Sequence, residues 1–243
     1  MRAVRILLVV VLVVGGLLVA VDRLAVTLAE GRTEDGLKSS QGLEATPEVT
    51  IHGFPFLTQV AGGDLDDVEL DIPEFPVSGA DGRDMVVEDL DVRLGGVRLD
   101  DGLSPARAAT VDGTGLVPYD ELLKAARAEP QDVAPGISAA VVGLSHGGDG
   151  RIKLKVRPSL LGQELPTVDV LSRVDVQDGR LRVRADALPD LGADIADRAV
   201  RSVTDFDQAL AELPDGLELS RVSPTGDGVR ITVTGEDVDL SGW

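Results

Sequence analysis

The sequence contains no cysteine, two histidines and very few aromatic residues. Without cysteine there are no disulfides, thiolate metal sites or cysteine nucleophiles. The histidines, His52 and His146, cannot alone supply the three imidazoles of a zinc site. With four Phe, one Tyr and one Trp, the chain also has few rings on which sugars or bases could stack. These absences exclude cysteine chemistry and a zinc site built from histidine alone, and the sequence as a whole leads us to expect no metal site, no cofactor and no catalytic site.

Positive charge is also scarce. There are 23 Lys and Arg against 42 Asp and Glu, a formal net charge of -19. Such a chain repels phosphate backbones, so we expect no nucleic-acid partner and no electrostatic docking on anionic lipid. Hydrophobic residues nevertheless make up 43% of the chain, and most of them are Val, Leu and Ala. This is enough apolar mass for a real core.

The N-terminus carries an apolar run that suits a membrane or an export signal. Arg2 and Arg5 precede Ile6–Val21, sixteen residues without a polar side chain. As a helix this run would span about 24 Å, short of the roughly 30 Å hydrocarbon core. A cleaved signal peptide and an uncleaved anchor both remain open. Because positive charges precede the run and acids follow it, we expect the N-terminus in the cytoplasm and the remainder outside.

Three segments follow from these patterns. Residues 1–21 are the signal peptide or anchor, residues 22–41 a helical continuation, and residues 42–243 a single domain of α+β class. Seven Asp-Gly pairs in the last segment are strong hairpin signals. One hairpin around Asp178-Gly179 has a self-consistent register. It pairs Val176 with Leu181, Val174 with Val183, and Asp175 with Arg182.

Two helices are predicted to interrupt the strands. Pro118–Ala128 carries acids in its first turn and bases in its last, an order that suits the helix dipole. Asp190–Leu213 has apolar residues at steps of three and four, which is typical of a helix with one buried face. Long half-apolar strands together with amphipathic helices indicate a sheet-on-helix body.

One short motif suggests an esterase. Gly143–Gly147 matches the G-x-S-x-G nucleophile elbow, with Ser145 as the nucleophile. The elbow needs a helix after the serine, whereas here the next ordered segment reads as the strand Arg151–Arg157. A hairpin through Gly148–Gly150 would place Ser145 opposite Lys153 and pair Val142 with Val156. We therefore interpret Ser145 as a strand-end residue.

Two charged clusters have a structural and a binding interpretation. The acidic run Asp64–Glu69 offers oxygen ligands for calcium but lacks the spacing of a calcium loop, so a strand with a solvated face fits better. Basic residues line two strand faces, at Arg151, Lys153, Lys155 and Arg157 and at Arg180, Arg182 and Arg184. They either pair with acids across the strands or contact an anionic group.

The segment Gly53–Gln59, with the sequence G-F-P-F-L-T-Q, holds two of the four Phe. Its rings either plug the end of the core or line the mouth of an apolar pocket. If the chain turns helically after Pro55, Phe56 and Val60 share a face.

This string, within V-T-I-H-G-F-P-F-L-T-Q, resembles the opening motif of the LmeA-like phospholipid-binding proteins of the actinobacterial cell envelope. Weaker similarities follow in order at Pro118–Leu123, Val176–Leu181, Leu213–Leu217 and Gly235–Val238. The resemblance implies a tubular lipid-binding fold, in which a long curved antiparallel sheet wraps on helices around an apolar groove. It also implies phospholipid binding outside the cytoplasmic membrane and, in one branch, support for lipoglycan elongation.

The hypothesis is therefore a phospholipid-binding protein that holds acyl chains in an apolar groove at the outer face of the cytoplasmic membrane. An aliphatic groove suits acyl chains, since burying each CH₂ contributes about 0.8 kcal/mol. The rival is a closed-core structural module of the envelope. The candidate lipid-binding residues are Phe54, Phe56, Leu57, Val60, Leu122, Leu160 and Leu161.

The charge asymmetry around the apolar run yields a prediction about topology. A reporter that works only outside the cytoplasm, fused after Trp243, should be active, because Arg2 and Arg5 precede the run and the acids Asp22, Glu30, Glu34 and Asp35 follow it. A reporter that works only in the cytoplasm is the matched control and should be silent. The reverse pattern would contradict the predicted orientation.

Overall fold

A computed structural model describes residues 2–78, 84–100, 104–125, 131–177, 180–187, 206–209 and 215–241. Its first element is one continuous helix, α1, at Arg2–Gln41. The apolar run and the predicted continuation therefore form a single helix. Among the described residues, α1 is the one helix long and apolar enough to cross a membrane.

The remaining elements are short helices and many strands. The helices are α2 at Phe56–Gly62 and α3 at Tyr119–Ala125. The strands of the first sheet are β1 (Glu48–His52), β2 (Asp64–Ser78), β3 (Asp84–Leu99), β4 (Pro105–Pro118), β12 (Leu217–Pro224) and β13 (Gly228–Asp239). Those of the second are β5 (Gln131–Ala134), β6 (Ile137–Gly148), β7 (Arg151–Leu160), β8 (Gln163–Glu164), β9 (Val168–Gln177), β10 (Arg180–Ala187) and β11 (Phe206–Ala209).

Both sheets are open, and neighbouring strands follow the chain closely. The first has the order β1-β2-β3-β4-β13-β12, and the second has the order β11-β10-β9-β7-β6-β5, with β8 paired to β7. The pairs β1–β2, β6–β7, β7–β9 and β9–β10 are antiparallel. This mostly antiparallel architecture with few helices confirms the predicted α+β class.

The predicted hairpin registers can be compared pair by pair. Between β9 and β10, Val176 lies opposite Leu181 and Asp175 opposite Arg182, as predicted. Between β6 and β7, Ser145 lies opposite Lys153, also as predicted. Val156 pairs with Val141 rather than with Val142, because the register shifts between Val141 and Gly143. Such a bulge inserts one residue into one strand, which no count from the turn could reveal.

Of the two predicted helices, the structure contains the first and replaces part of the second with a strand. The first corresponds to α3, although Pro118 ends strand β4 instead of starting the helix. The second, Asp190–Leu213, is wrong at Phe206–Ala209, which form a strand antiparallel to β10. Its other residues, 190–205 and 210–213, lie outside the described part of the chain. Pairing with an available sheet edge overrides local periodicity in this short segment.

The chain divides into two compact units. The first comprises Met1–Ile72, Asp91–Asp112 and Gly235–Trp243, and the second comprises Pro73–Leu90 and Gly113–Thr234. We keep residues 42–243 as one proposed domain, because β2, β3, β4 and β13 each contribute residues to both units.

The second unit has a core of small aliphatic side chains on β6, β7, β9, β10, β12 and β13. Val156 and Val170 lie on the paired strands β7 and β9 and are fully buried. Ser172 is equally buried on β9, and its hydroxyl has no hydrogen-bond partner in the described part of the chain. Val170 and Ser172 therefore occupy neighbouring inward positions of β9 but differ in their contribution to stability.

This difference predicts opposite effects for two substitutions on β9. Val170→Ala removes two buried methyl groups and leaves a cavity, so it should lower the free energy of unfolding by about 2–3 kcal/mol. Ser172→Ala removes an unpaired buried hydroxyl and should leave that free energy unchanged or raised. Urea denaturation of both variants measures the difference. A loss in Ser172→Ala as large as in Val170→Ala would show that the hydroxyl is satisfied.

Candidate functional site

The G-F-P-F-L-T-Q segment connects β1 to β2 in the first unit. Strand β1 ends at His52, Gly53 has a φ of 98°, and the Phe54–Pro55 peptide bond is cis. Helix α2 starts at Phe56, so the chain does turn helically after Pro55, and the helix closes on Gly63, which has a φ of 79°. The segment is therefore a tight turn followed by two helical turns.

Gly53 is required at its position for two reasons. A φ of 98° is in the region that side chains rarely adopt. In addition, a Cβ atom there would meet the Gln59 amide and would lie 2.8 Å from Asp66 Oδ2. The glycine of the motif thus allows the chain to turn directly against its own following helix.

The polar residues of the motif hold this turn together. Gln59 donates from Nε2 to the carbonyl of His52 at 3.4 Å and accepts from the N–H of Asp66 at 2.8 Å. It therefore connects the end of β1 to the start of β2. Thr58 Oγ1 donates to the carbonyl of Pro55 at 2.7 Å. Both polar side chains are used by the backbone of the turn, so their role here is structural.

Helix α1 supplies the cap of α2. Asp22, the first residue after the apolar run, is 3% exposed, and its Oδ1 accepts the N–H of Leu57 at 2.9 Å. The first N–H groups of a helix have no partner within the helix, and a carboxylate also complements the helix dipole. Residue 55 is proline and has no side-chain acceptor to cap the helix itself. The acid of a distant helix takes this role.

The next residue, Arg23, holds the exposed ring of the turn. Its Nη2 donates to the carbonyl of Gly53 at 3.3 Å, and its Cζ lies 5.1 Å from the centroid of the Phe54 ring. This distance is typical of a cation–π contact. Arg23 also pairs with Asp22 at 3.2 Å. One helical turn of α1 thus contacts both the backbone and the ring of the motif.

Two further acids of α1 cover the free edge of β1. Glu30 Oε1 accepts the N–H of Ile51 at 2.9 Å, and Glu34 Oε1 accepts the N–H of Val49 at 3.2 Å. Four helical residues rise about 6 Å, close to the roughly 6.6 Å between alternate strand residues. Carboxylates one helical turn apart therefore match successive outward N–H groups. They leave this edge without the free donors that promote strand addition.

A charged cluster lies on β1, β2 and β3 nearby. Glu69 Oε2 is 3.1 Å from His52 Nε2, and Arg93 Nη2 donates to Glu69 Oε1 at 2.8 Å. The hydrogen bond from His52, assisted by the Arg93 charge, holds the pKa of Glu69 below its ordinary value. The His52 side chain is 45% exposed.

The candidate lipid-binding residues fall into two groups. Phe54, Phe56, Leu57 and Val60 belong to the first unit, where Phe54 is 59% exposed, Leu57 43% exposed and Phe56 only 6% exposed. Val60 is half-buried. The two rings of the motif therefore differ, since Phe56 packs inside and Phe54 faces outward.

The other three candidates belong to the second unit. Leu122 on α3 is half-buried against the valine-rich core. Leu160 is the last residue of β7, Leu161 follows it, and the two side chains are 46% and 82% exposed. The Leu161 N–H donates to the carbonyl of Gly136 at 2.6 Å, which fixes this turn against the start of β6. These leucines are apolar surface, and their part in lipid binding remains a proposal.

The residues that position the motif were missed by sequence reasoning. The sequence identifies Asp22, Glu30 and Glu34 only as acids that follow the apolar run, and Arg23 only as part of the helical continuation. The sequence does contain a usable signal. Asp22, Glu30 and Glu34 are separated by multiples of four positions, so they lie on the same side of a helix. Their partners, the N–H groups of a strand edge and a helix start, are backbone atoms and leave no trace in the sequence.

The structure does not favour the esterase, metal-binding or anion-binding sites that the sequence suggested. Ser145 lies within β6, which continues to Gly148, so the strand–turn–helix geometry of a nucleophile elbow is not formed there. Among the described residues, no group of three or more His, Asp and Glu could hold a metal ion. Arg151 pairs with Asp149 at 2.7 Å and Arg157 with Glu164 at 3.7 Å, which favours local pairing for these bases.

The described residues define an α+β protein of open, mostly antiparallel sheets with an apolar N-terminal helix fixed to an exposed aromatic turn. A sequence model of the LmeA-like phospholipid-binding family matches residues 20–234. The chain belongs to this family. Its membership supports lipid binding. Searches of curated proteins and of solved structures gave no significant match.

The contrast between the two rings predicts contrasting variants. Phe56→Ser truncates a buried ring and should lower the free energy of unfolding by about 3–5 kcal/mol. Phe54→Ser is the matched control, because its ring is largely exposed, and its melting temperature should stay near that of the wild type. Thermal melting by circular dichroism compares them. Equal destabilisation would show that Phe54 also packs in the core.

Proposed function

We propose that this protein binds phospholipid outside the cytoplasm and holds its acyl chains in an apolar groove. The observation that carries the proposal is the family match over residues 20–234, which includes the aromatic turn and all the described strands up to β13. Helix α1 would be the anchor that keeps the protein at the outer face of the cytoplasmic membrane. In that position it would support the assembly of envelope lipid or lipoglycan.

The second unit offers a surface for acyl chains. Around its buried core lies a fringe of apolar side chains that remain partly exposed: Tyr119, Leu122, Leu123, Leu144, Val168, Val176, Val183, Ile231 and Val233. An acyl chain laid on these residues would complete their burial, and each CH₂ removed from water contributes about 0.8 kcal/mol. Nearly all are aliphatic, so the surface suits flexible chains better than flat rings.

Charge supports an apolar mode of binding. The net charge of -19 opposes any long-range attraction to anionic head groups. The bases at Arg151 and Arg157 are paired with acids. Affinity should therefore come from the acyl chains and should respond little to salt. Binding of this kind needs no catalytic residue, and we propose that the protein is not an enzyme.

A closed structural module is the rival function, and lipid extraction separates the two. The full chain, purified in detergent and washed, should yield phospholipid in near-stoichiometric amount by mass spectrometry. Recovery should be the same after washing at low and at high salt. Clean protein without lipid would favour the closed module.

A matched pair of variants on β9 tests the location of the groove. Val176→Thr makes a fringe residue polar with little change of shape and should lower the recovered phospholipid severalfold. Asp175→Asn alters the neighbouring residue, which points to the other sheet face, and should leave recovery unchanged. Equal recovery from the wild type and both variants would remove the fringe of the second unit from the site.

A further inference from the structure

The apolar surface of α1 does not end where its apolar run ends. Val21, Leu24 and Leu28 are 50%, 65% and 57% exposed and follow one another at helical spacing. Asp22 and Val26, on the opposite side of the helix, are buried against the first unit. The helix therefore carries an exposed apolar stripe past Val21, with the protein covering its other side.

With this stripe, the apolar side of α1 is long enough to cross a bilayer. The run Ile6–Val21 alone spans about 24 Å, less than the hydrocarbon core of a bilayer. Counted to Leu28, the apolar side spans about 34 Å, so a core of about 30 Å that starts at Ile6 ends near residue 25, within the stripe and less than one helical turn from Asp22. The charged residues in the added part are Asp22 and Arg23, and both are engaged by the motif through Leu57 N–H, Gly53 O and the Phe54 ring.

The same contacts fix the depth of the aromatic turn. Because Asp22 and Arg23 bind it directly, Phe54 and Leu57 lie level with the turn of α1 at which the apolar run ends. Their side chains are 59% and 43% exposed. Phe and Leu side chains at this level suit the boundary between head groups and acyl chains, where interfacial segments bury apolar residues of these types.

We propose that Leu24, Leu28, Phe54 and Leu57 form a membrane-docking surface, seated in the outer interface of the bilayer that α1 crosses. The inference rests on the proposed function, which retains α1 as an anchor. The salt-independent, apolar character expected for lipid binding extends to this surface, since an acidic protein gains nothing from anionic head groups. The chain would thus hold its aromatic turn where phospholipid enters and leaves the membrane.

The absence of cysteine allows a direct test by site-directed spin labelling. Single variants Leu24→Cys, Phe54→Cys and Leu57→Cys place labels on the surface, and Ser40→Cys is the matched control. Ser40 is exposed on the same helix, about 27 Å beyond Asp22. The labelled full-length chains are reconstituted in phosphatidylcholine–phosphatidylglycerol vesicles, and power saturation compares collisions with oxygen and with a water-soluble nickel chelate.

The expected result is that the three surface labels favour oxygen severalfold over the nickel chelate, while the label at position 40 shows the reverse. Four water-exposed labels would overturn the proposal. Four lipid-exposed labels would overturn it too, because α1 would then lie along the membrane. Oxygen preference at positions 54 and 57 without position 24 would also overturn it, since Leu24 faces away from the protein and reports only the bilayer.

Lipid extraction from the same labelled chains, purified in detergent before they are reconstituted, separates this proposal from the proposed function. Bound phospholipid together with water-exposed labels refutes the docking surface alone. Labels in the interface without recovered phospholipid refute the groove alone. Circular dichroism melting of each labelled chain confirms that the comparison is made between folded proteins.

Discussion

The hydrogen bond from the Leu57 N–H to the Asp22 carboxylate joins the two parts of this protein that matter most. One is the apolar helix, and the other is the turn that carries the exposed ring. Asp22 is almost completely buried, and its charge is balanced by the start of α2 and by Arg23. A buried carboxylate without such partners would be costly, so the helix and the turn are fixed to each other. Glu30 and Glu34 extend the connection along β1.

The G-F-P-F-L-T-Q string owes its composition to this arrangement. Gly53 permits the turn, Gln59 ties together the two strands that flank it, and Phe56 secures it to the core. Most of the string is therefore devoted to presenting Phe54 and Leu57. A string that marks the family can thus consist largely of residues with structural roles.

The two units differ in the contacts that stabilise them. In the second unit, valines are fully buried at the centre and become half-buried toward the fringe. In the first, acids and an arginine on α1 satisfy backbone groups that a sheet edge and a helix start leave open. Small aliphatic side chains make a smooth and adaptable surface, whereas the charged contacts make a rigid one.

Sequence alone determined the features that depend on neighbouring residues. The apolar run is one helix, the Asp178-Gly179 hairpin has its predicted register, and the α+β class is confirmed, because helix period, strand alternation and turn chemistry are local properties. The family, too, was recognisable from one contiguous string.

Tertiary structure decided the rest. Only it showed that Phe206–Ala209 pair as a strand, that Phe56 is buried while Phe54 is not, and that Asp22 caps a helix 35 positions away. These outcomes depend on which backbone groups meet in space, and backbone groups are the same at nearly every position of a sequence.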